Sequence, residues 1–316
     1  MNDLLLTLGH VKWFTNSTES RPEALANVLT PTFLAGAFLT LAVAILLTLL
    51  NRPLQELGWV QRIHAALDRL RVWSPWLLRI GMVAPLIGAA LGGYLFHYEL
   101  GPVPLWIRLA QALLAIMLLL PRADRFAALG ILGLYSVGVA TFGLHHMLDY
   151  LFWVGAASYL AIRSTKIEGA GIPLLYIATG VALAWAAIEK WVFPGLALDI
   201  LAHNPIPTFG FPAATFLMLS GWIELGVGYL MMTGVLNRLL SIVVTLLFIL
   251  TSSVFGVHEI LGHWLVHAAL LVFLIEGTGR YVTPVLWHRS VRLQVAFVGV
   301  TLAPFVAGLM WLYYVL

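Results

Sequence analysis

Apolar runs of about 20 residues, separated by short polar and charged segments, recur along the whole chain. At 1.5 Å per residue, a helix of that length crosses a hydrocarbon core roughly 30 Å thick. The pattern predicts ten spans, near 32–50, 76–97, 104–120, 126–143, 147–162, 171–193, 213–233, 239–256, 260–276 and 293–315. The apolar–polar alternation of an outer-membrane barrel is absent. A helix bonds its own backbone groups, so the expected fold is an all-α integral membrane protein of about ten transmembrane helices.

Composition strengthens this reading. Of 316 residues, 61% are hydrophobic and 10% charged, and the mean hydropathy is +0.95. Soluble domains carry roughly a quarter charged residues. Residues 1–30 hold Asp3, Glu19 and Glu23 without a long apolar stretch, so no cleavable signal peptide is expected there.

The net charge of +3 does not point to nucleic acid, because the cations are scattered between apolar runs. They sort by side instead. Arg52, Arg62, Arg69, Arg71, Arg122, Arg125, Arg163, Lys166, Arg238, Arg280, Arg289 and Arg292 fall on one side, 12 of the 17 basic residues. Lys12 and Arg21 fall on the other, and Arg79, Arg108 and Lys190 lie near span ends. The positive-inside rule makes the 12-residue side cytoplasmic and puts both termini outside, in a multi-pass bacterial-type inner (plasma) membrane. Segment 51–75 reads as an amphipathic helix on the inner surface, with Trp59 and Trp73 at headgroup depth.

Residues 106–163 align with 219–276 at a constant offset of 113. Phe142, Gly143 and His145 fall on Phe255, Gly256 and His258, and Arg125 falls on Arg238. At an offset of 97, Gly93-Tyr94-Leu95-Phe96 falls on Lys190-Trp191-Val192-Phe193. A longer outer loop, 194–212, with Pro194, Pro205, Pro207 and Pro212, takes up the difference. The expected organisation is an N-terminal outer segment with the first span and surface helix (1–75), a first four-helix unit (76–163), a second (164–277), and an inner loop with the final span (278–316).

The second unit carries Ile188-Glu189-Lys190 at the end of its first helix, Gly221-Trp222-Ile223-Glu224 in the next, and a closing helix from His258 to Gly277. On these motifs the chain resembles the DoxX-like family of small four-helix membrane proteins, well over about a third of its length and weakly over another third. The resemblance implies two tandem DoxX-like bundles flanked by one helix at each end. It also implies an association with membrane redox chemistry. The chain has no cysteine, unlike family members that use thiols, and cysteine-held clusters and thiolate ligands are excluded.

Candidate chemistry gathers in the second unit. Glu259, His263 and His267 are spaced four and four, so a helix lines them up on one stripe. The spacing from His258 to His263 is one residue too long for a zincin motif. Glu224 lies about 11 residues into its span, roughly 16 Å below the outer surface, and Glu189 lies near the outer end of its own. Charged groups at such depths are costly unless paired and normally face the bundle interior. Glu224, His258, Glu259, His263 and His267 therefore form the expected metal set, with Glu189 and Glu224 as catalytic carboxylates. Imidazole with carboxylate suits iron, copper or zinc. Haem b and quinone are the other cofactors considered. His97, Glu99, His145, His146 and Asp149 form a lesser group at the outer end of the first unit. His203 and Asp199 are candidate caps, and His10, His64 and His288 read as surface residues. Gly88 and Gly92 suggest close helix packing. Glu276 is expected to pair with Arg280.

The leading expectation is a redox-associated membrane protein with a histidine/carboxylate metal site in the outer half of the second unit. Its partners would be the bilayer, quinone, and membrane or periplasmic redox subunits. Two rivals stand beside it: a non-catalytic anchor or scaffold subunit, and a small-solute or metal-ion carrier. The topology has a direct test. Reporter fusions after Leu70 and after Leu201 should report opposite compartments, and the same compartment for both rejects the ten-span arrangement.

Overall fold

The computed structural model describes residues 21–120, 122–278 and 282–316. Asp3, His10, Lys12, Glu19 and Arg280 lie outside the described residues, and so does the side chain of His258.

Among the described residues the chain is helical throughout, with no strand. In order come α1 (Leu25–Val28), α2 (Pro31–Gln55), α3 (Gly58–Asp68), α4 (Ser74–Gly92) and α5 (Leu105–Leu119). Then follow α6 (Asp124–Phe142), α7 (Leu144–Met147), α8 (Leu151–Ile162), α9 (Gly171–Val192) and α10 (Pro194–His203). Last are α11 (Ala213–Thr233), α12 (Asn237–Phe255), α13 (Val257–Gly262), α14 (Trp264–Glu276) and α15 (Val291–Val315). Local signals set several starts. The Thr30 hydroxyl accepts the Phe33 amide at 3.1 Å ahead of Pro31, and the Ser290 hydroxyl accepts the Leu293 amide at 3.2 Å. Both are N-caps that satisfy an otherwise orphaned amide.

Seven segments are long and apolar enough to cross a membrane: Pro31–Gln55, Arg71–Gly92, Asp124–Phe142, Glu168–Val192, Ala213–Thr233, Asn237–Phe255 and Val291–Val315. Such helices mark a membrane protein. Large apolar side chains exposed on them, Phe38, Leu91, Val300 and Trp311 among others, suit contact with lipid. The other three expected spans fall on shorter helices. α5 has 15 residues, α8 has 12 and α14 has 13. Thirteen residues rise only about 20 Å. α8 and α14 each follow a short helix, α7 and α13, so the chain breaks near one end and restarts. Gly143 (φ 86°) and Gly256 (φ 68°) stand at the start of those breaks, in a backbone region that favours glycine.

Eight helices pack in a closed ring. α4 contacts α5, α5 contacts α6, α6 contacts α8, and α8 contacts α9. α9 contacts α11, α11 contacts α12, α12 contacts α14, and α14 returns to α4. α2 lies against α11 and α15, and α15 reaches α9. Two of the contacts are close. A Cβ at Gly155 on α8 would stand 2.7 Å from the Ala178 Cβ on α9. A Cβ at Gly81 on α4 would collide with the Ala268 Cβ on α14. Small residues at both crossings let the helices approach, as is usual where lipid supplies no hydrophobic drive. The expected Gly88–Gly92 packing motif does something else. Tyr94, in the loop after α4, lies over Gly92, and only the Tyr94 hydroxyl comes near Gly88, at 3.8 Å from a Cβ there.

Charges at the cationic end tie the ring together. Arg79 is buried and pairs with Asp124 at the start of α6, and Arg163 adds a 3.3 Å contact to the same carboxylate. Glu276 accepts from the Ser74 hydroxyl at 2.7 Å and lies 3.4 Å from Arg71. Its expected partner, Arg280, is outside the described residues. Arg71 and Arg238 both engage Asp68 at the end of α3. α3 itself exposes Trp59, and Trp73 follows it, also exposed. Segment 194–212, expected to be a loop, begins as the helix α10.

The crossings yield a prediction. Replacing Gly155 with Leu forces side-chain volume into the α9 backbone near Leu175 and should cost about 1–3 kcal/mol. Gly133, with open space around it, serves as the control for the same substitution. A thermal melt in detergent checks this, and equal effects at both positions would reject the close crossing.

Candidate functional site

The polar residues of the interior divide into three groups at the end of the bundle opposite the cationic one. The first is built on the loop 93–104. Backbone bonds fold this loop on itself: the Leu95 amide donates to the Leu100 carbonyl at 2.8 Å, and the Val103 amide to the Gly93 carbonyl at 2.9 Å. Gln111 of α5, fully buried, clamps it. Its amide donates to the Tyr94 carbonyl at 2.8 Å, and its Oε1 accepts from the Phe96 amide at 3.0 Å. So held, the loop turns Glu99 inward. Its Oε1 lies 2.6 Å from His146 Nε2, and its Oε2 accepts from the Tyr150 hydroxyl at 3.0 Å. His97 Nδ1 stands 4.0 Å from the same carboxylate. His97, His146 and Tyr150 are all buried.

This group continues toward α13 and α14. Glu259 accepts from the Thr251 hydroxyl at 2.7 Å and lies 3.3 Å from His263 Nδ1. Both residues are buried. The Phe248 ring packs against His263 at 4.6 Å and His267 at 5.3 Å. The loop residues feel these groups. Burial, and then the neighbouring His263, lower the pKa of His97. Burial, and then the charges of Glu99 and Glu259, raise that of Tyr98. Burial disfavours the charged form in each case.

The second group is an ion pair. Lys190 Nζ, at the end of α9, donates to Glu224 Oε2 on α11 at 2.7 Å. A cavity of about 380 Å³ adjoins it, lined in part by Glu23, Asn27, Thr32, Lys190, Trp191 and Met218. The third group surrounds Glu189, which is buried on α9 one residue before that lysine.

The convergence expected of Glu224, His263 and His267 is therefore absent. Glu224 faces Lys190 across α9 and α11, while the histidines face Phe248 on α12. Lys190 offers a nearer charge, and α11 and α14 are not neighbours in the ring. Among the described residues no three His, Asp or Glu side chains are arranged to hold a metal ion. The i, i+4 relation of Glu259 and His263 does hold, while the His267 Nε2 has no hydrogen-bond partner among the described residues. His203 and Asp199, considered as caps, pair with each other at 3.1 Å on exposed α10. The residues that sequence reasoning missed are Lys190, Gln111, Tyr150 and Thr251. Gln111 had a visible signal, since it aligns with Glu224.

These features define a helical membrane protein with buried histidine–carboxylate pairs near one face. Comparisons with protein-family models, curated proteins and solved structures find no significant match. The likeness to the DoxX-like family rests on its quoted motifs alone.

Removing the Glu99 carboxylate should free the loop. In Glu99→Ala, amide hydrogen exchange across 94–104 should rise about tenfold, the loss of roughly 1.4 kcal/mol of hydrogen bonding. Unchanged exchange would mean that Glu99 does not hold the loop.

Proposed function

We propose that this chain is a quinone-linked, redox-associated membrane protein whose cavity beside Lys190 and Glu224 receives the ring of a quinone. The cavity and its half-buried ammonium carry the reading. Ligand sites are concave and mostly apolar, with a few placed polar groups. Here Trp191, Met218 and Val28 supply apolar walls. Lys190, Thr32 and Thr215 line the same space and are the donors a quinone carbonyl needs. Glu224 holds the Lys190 ammonium in place and is the group that would exchange a proton with it. The redox association itself comes from the DoxX-like resemblance.

Two tandem units of four helices, α4-α5-α6-α8 and α9-α11-α12-α14, belong to the same proposal. α6 and α12 start 113 residues apart, at Asp124 and Asn237, and end 113 apart, at Phe142 and Phe255. α8 and α14 start at Leu151 and Trp264, again 113 apart. α4 and α9 start 97 apart, at Ser74 and Gly171. The two close crossings also exchange. At these offsets Gly81 corresponds to Ala178 and Gly155 to Ala268, so each crossing is one glycine against one alanine. A pseudo-two-fold axis along the membrane normal accounts for all of this, as in other parallel repeats. Ten spans follow if α7 with α8, and α13 with α14, each cross as one broken helix. Both termini then face outward in a plasma membrane of bacterial type.

One observation favours a second reading. The unpartnered Nε2 of His267 leaves room for a metal ion held with His263 and Glu259. These side chains are not gathered on one point, and an ion would have to draw them together.

Titration of a short-chain ubiquinone into the protein in nanodiscs, followed by tryptophan fluorescence, tests the first reading. Binding should saturate, and Lys190→Ala and Thr215→Val should each weaken it, the first by about tenfold, or 1.4 kcal/mol. Quenching no greater than in empty nanodiscs sinks the quinone reading. Elemental analysis of the same preparation decides the second, which needs stoichiometric iron, copper or zinc that His267→Ala loses.

A further inference from the structure

α3 carries two faces. Val60, His64 and Leu67 are half-buried on the side where the helix meets α2 and α14. Trp59, Ile63, Ala66 and Leu70 are exposed. Their spacing of four, three and four gathers them into one uncovered apolar stripe. Leu70 belongs to it because the backbone keeps helical torsion past the end of α3, with Arg69 at φ −67°, ψ −22° and Leu70 at φ −86°, ψ −4°. The stripe is large: Trp59 is 62% exposed, Ile63 49% and Leu70 44%. Val72 and Trp73 carry it on to the spanning segment Arg71–Gly92, where Trp76 and Ile80 are exposed in turn.

We propose that α3 binds anionic phospholipid: the stripe sinks into the acyl boundary of a bilayer, and Arg62 and Arg69 take the headgroup phosphates. Seven residues, about two helical turns, separate the two arginines, which places them about 10 Å apart along one edge of the stripe. Both are exposed. The neighbouring cations are already engaged. Arg52 pairs with Glu56, Arg71 with Asp68 and Glu276, and Arg238 with Asp68. Among the described residues Arg62 and Arg69 form no ion pair, so their guanidinium groups are open to a ligand. A guanidinium fork matches two phosphate oxygens at once.

An apolar stripe edged by cations is the pattern of an interfacial helix, which gains from burial in the bilayer and from anionic headgroups together. Continuity decides for a bilayer over a soluble partner. The stripe runs into the exposed apolar side of α4, so the lipid that covers Ile80 and Leu91 on that helix reaches Trp73 and Trp59 as well. Tryptophan favours headgroup depth. The end of α3 is also fixed in place, because Asp68 accepts from both Arg238 and Arg71. The stripe therefore keeps one orientation to the bundle. The site stands independently of the quinone reading, since no residue of α3 lines the cavity beside Lys190.

Native mass spectrometry of the delipidated full chain in detergent, titrated with phosphatidylglycerol or phosphatidylcholine, tests the proposal. Phosphatidylglycerol should bind the more tightly. Arg62→Gln with Arg69→Gln should weaken it about 25-fold, roughly fivefold for each arginine at an anionic surface, and leave phosphatidylcholine unchanged. Arg289→Gln with Arg292→Gln removes the same charge from another exposed pair and should leave the preference in place. Inorganic phosphate in excess should not displace the lipid. The chain has no cysteine, so a nitroxide on Ile63→Cys or on Gln61→Cys reports a single position in nanodiscs. The first should be shielded from a water-soluble relaxation agent and the second open to it. Equal affinity for the two lipids, equal losses in the two double variants, displacement by phosphate, or a water-exposed label at position 63 each overturns the proposal.

Discussion

α4 meets α14 where Gly81 faces Ala268, and α8 meets α9 where Gly155 faces Ala178. In lipid, helices gain little by hiding apolar surface from one another, so association depends on close packing and on polar contacts. The two crossings close the ring of eight helices. They also fix what lies at the ends of those helices. The loop 93–104 follows α4, and His263 sits just before α14, so the first crossing brings Glu99 and His97 toward Glu259 and His263. The second sets the segment 144–150 against α9 and brings His145 to Trp185.

The interior then follows from one cost. A polar group in hydrocarbon must find a partner or become neutral. At the cationic end the answer is ion pairing, with Asp124 shared by Arg79 and Arg163 and Glu276 bonded to Ser74. At the opposite end the partners are His146 and Tyr150 around Glu99 and a threonine and histidine around Glu259. The two ends of the bundle are thus chemically different, one held by arginine–carboxylate pairs and one by contacts of carboxylates with imidazole and hydroxyl groups.

Much of the helical plan was legible in the sequence because it depends on local quantities. Run length and hydropathy located the seven helices long and apolar enough to cross a membrane, and Gly143 and Gly256, 113 residues apart, marked two helix ends that the structure bears out. Periodicity also read the Glu259–His263 relation correctly, since two residues four apart on a helix share a face wherever the helix goes. It did not read the breaks that shorten α8 and α14, because where a helix restarts is set by backbone torsion, as at Gly143 and Gly256.

Which helix faces which was beyond the sequence. Glu224 and His267 looked like partners because both lay deep in spans of the same unit and both needed one. The ring order separates α11 from α14, and Lys190, one turn from lipid headgroups by sequence alone, reaches Glu224 first. Glu99 looked like an ordinary interfacial residue, yet Gln111 clamps its loop and Glu99 turns inward to His146 and Tyr150. The sequence by itself determined that these charges lie within or beside the membrane and that each must be satisfied. Only the tertiary structure decided by whom, because a partner is fixed by the crossing of two helices far apart in the chain, and no local pattern records that crossing.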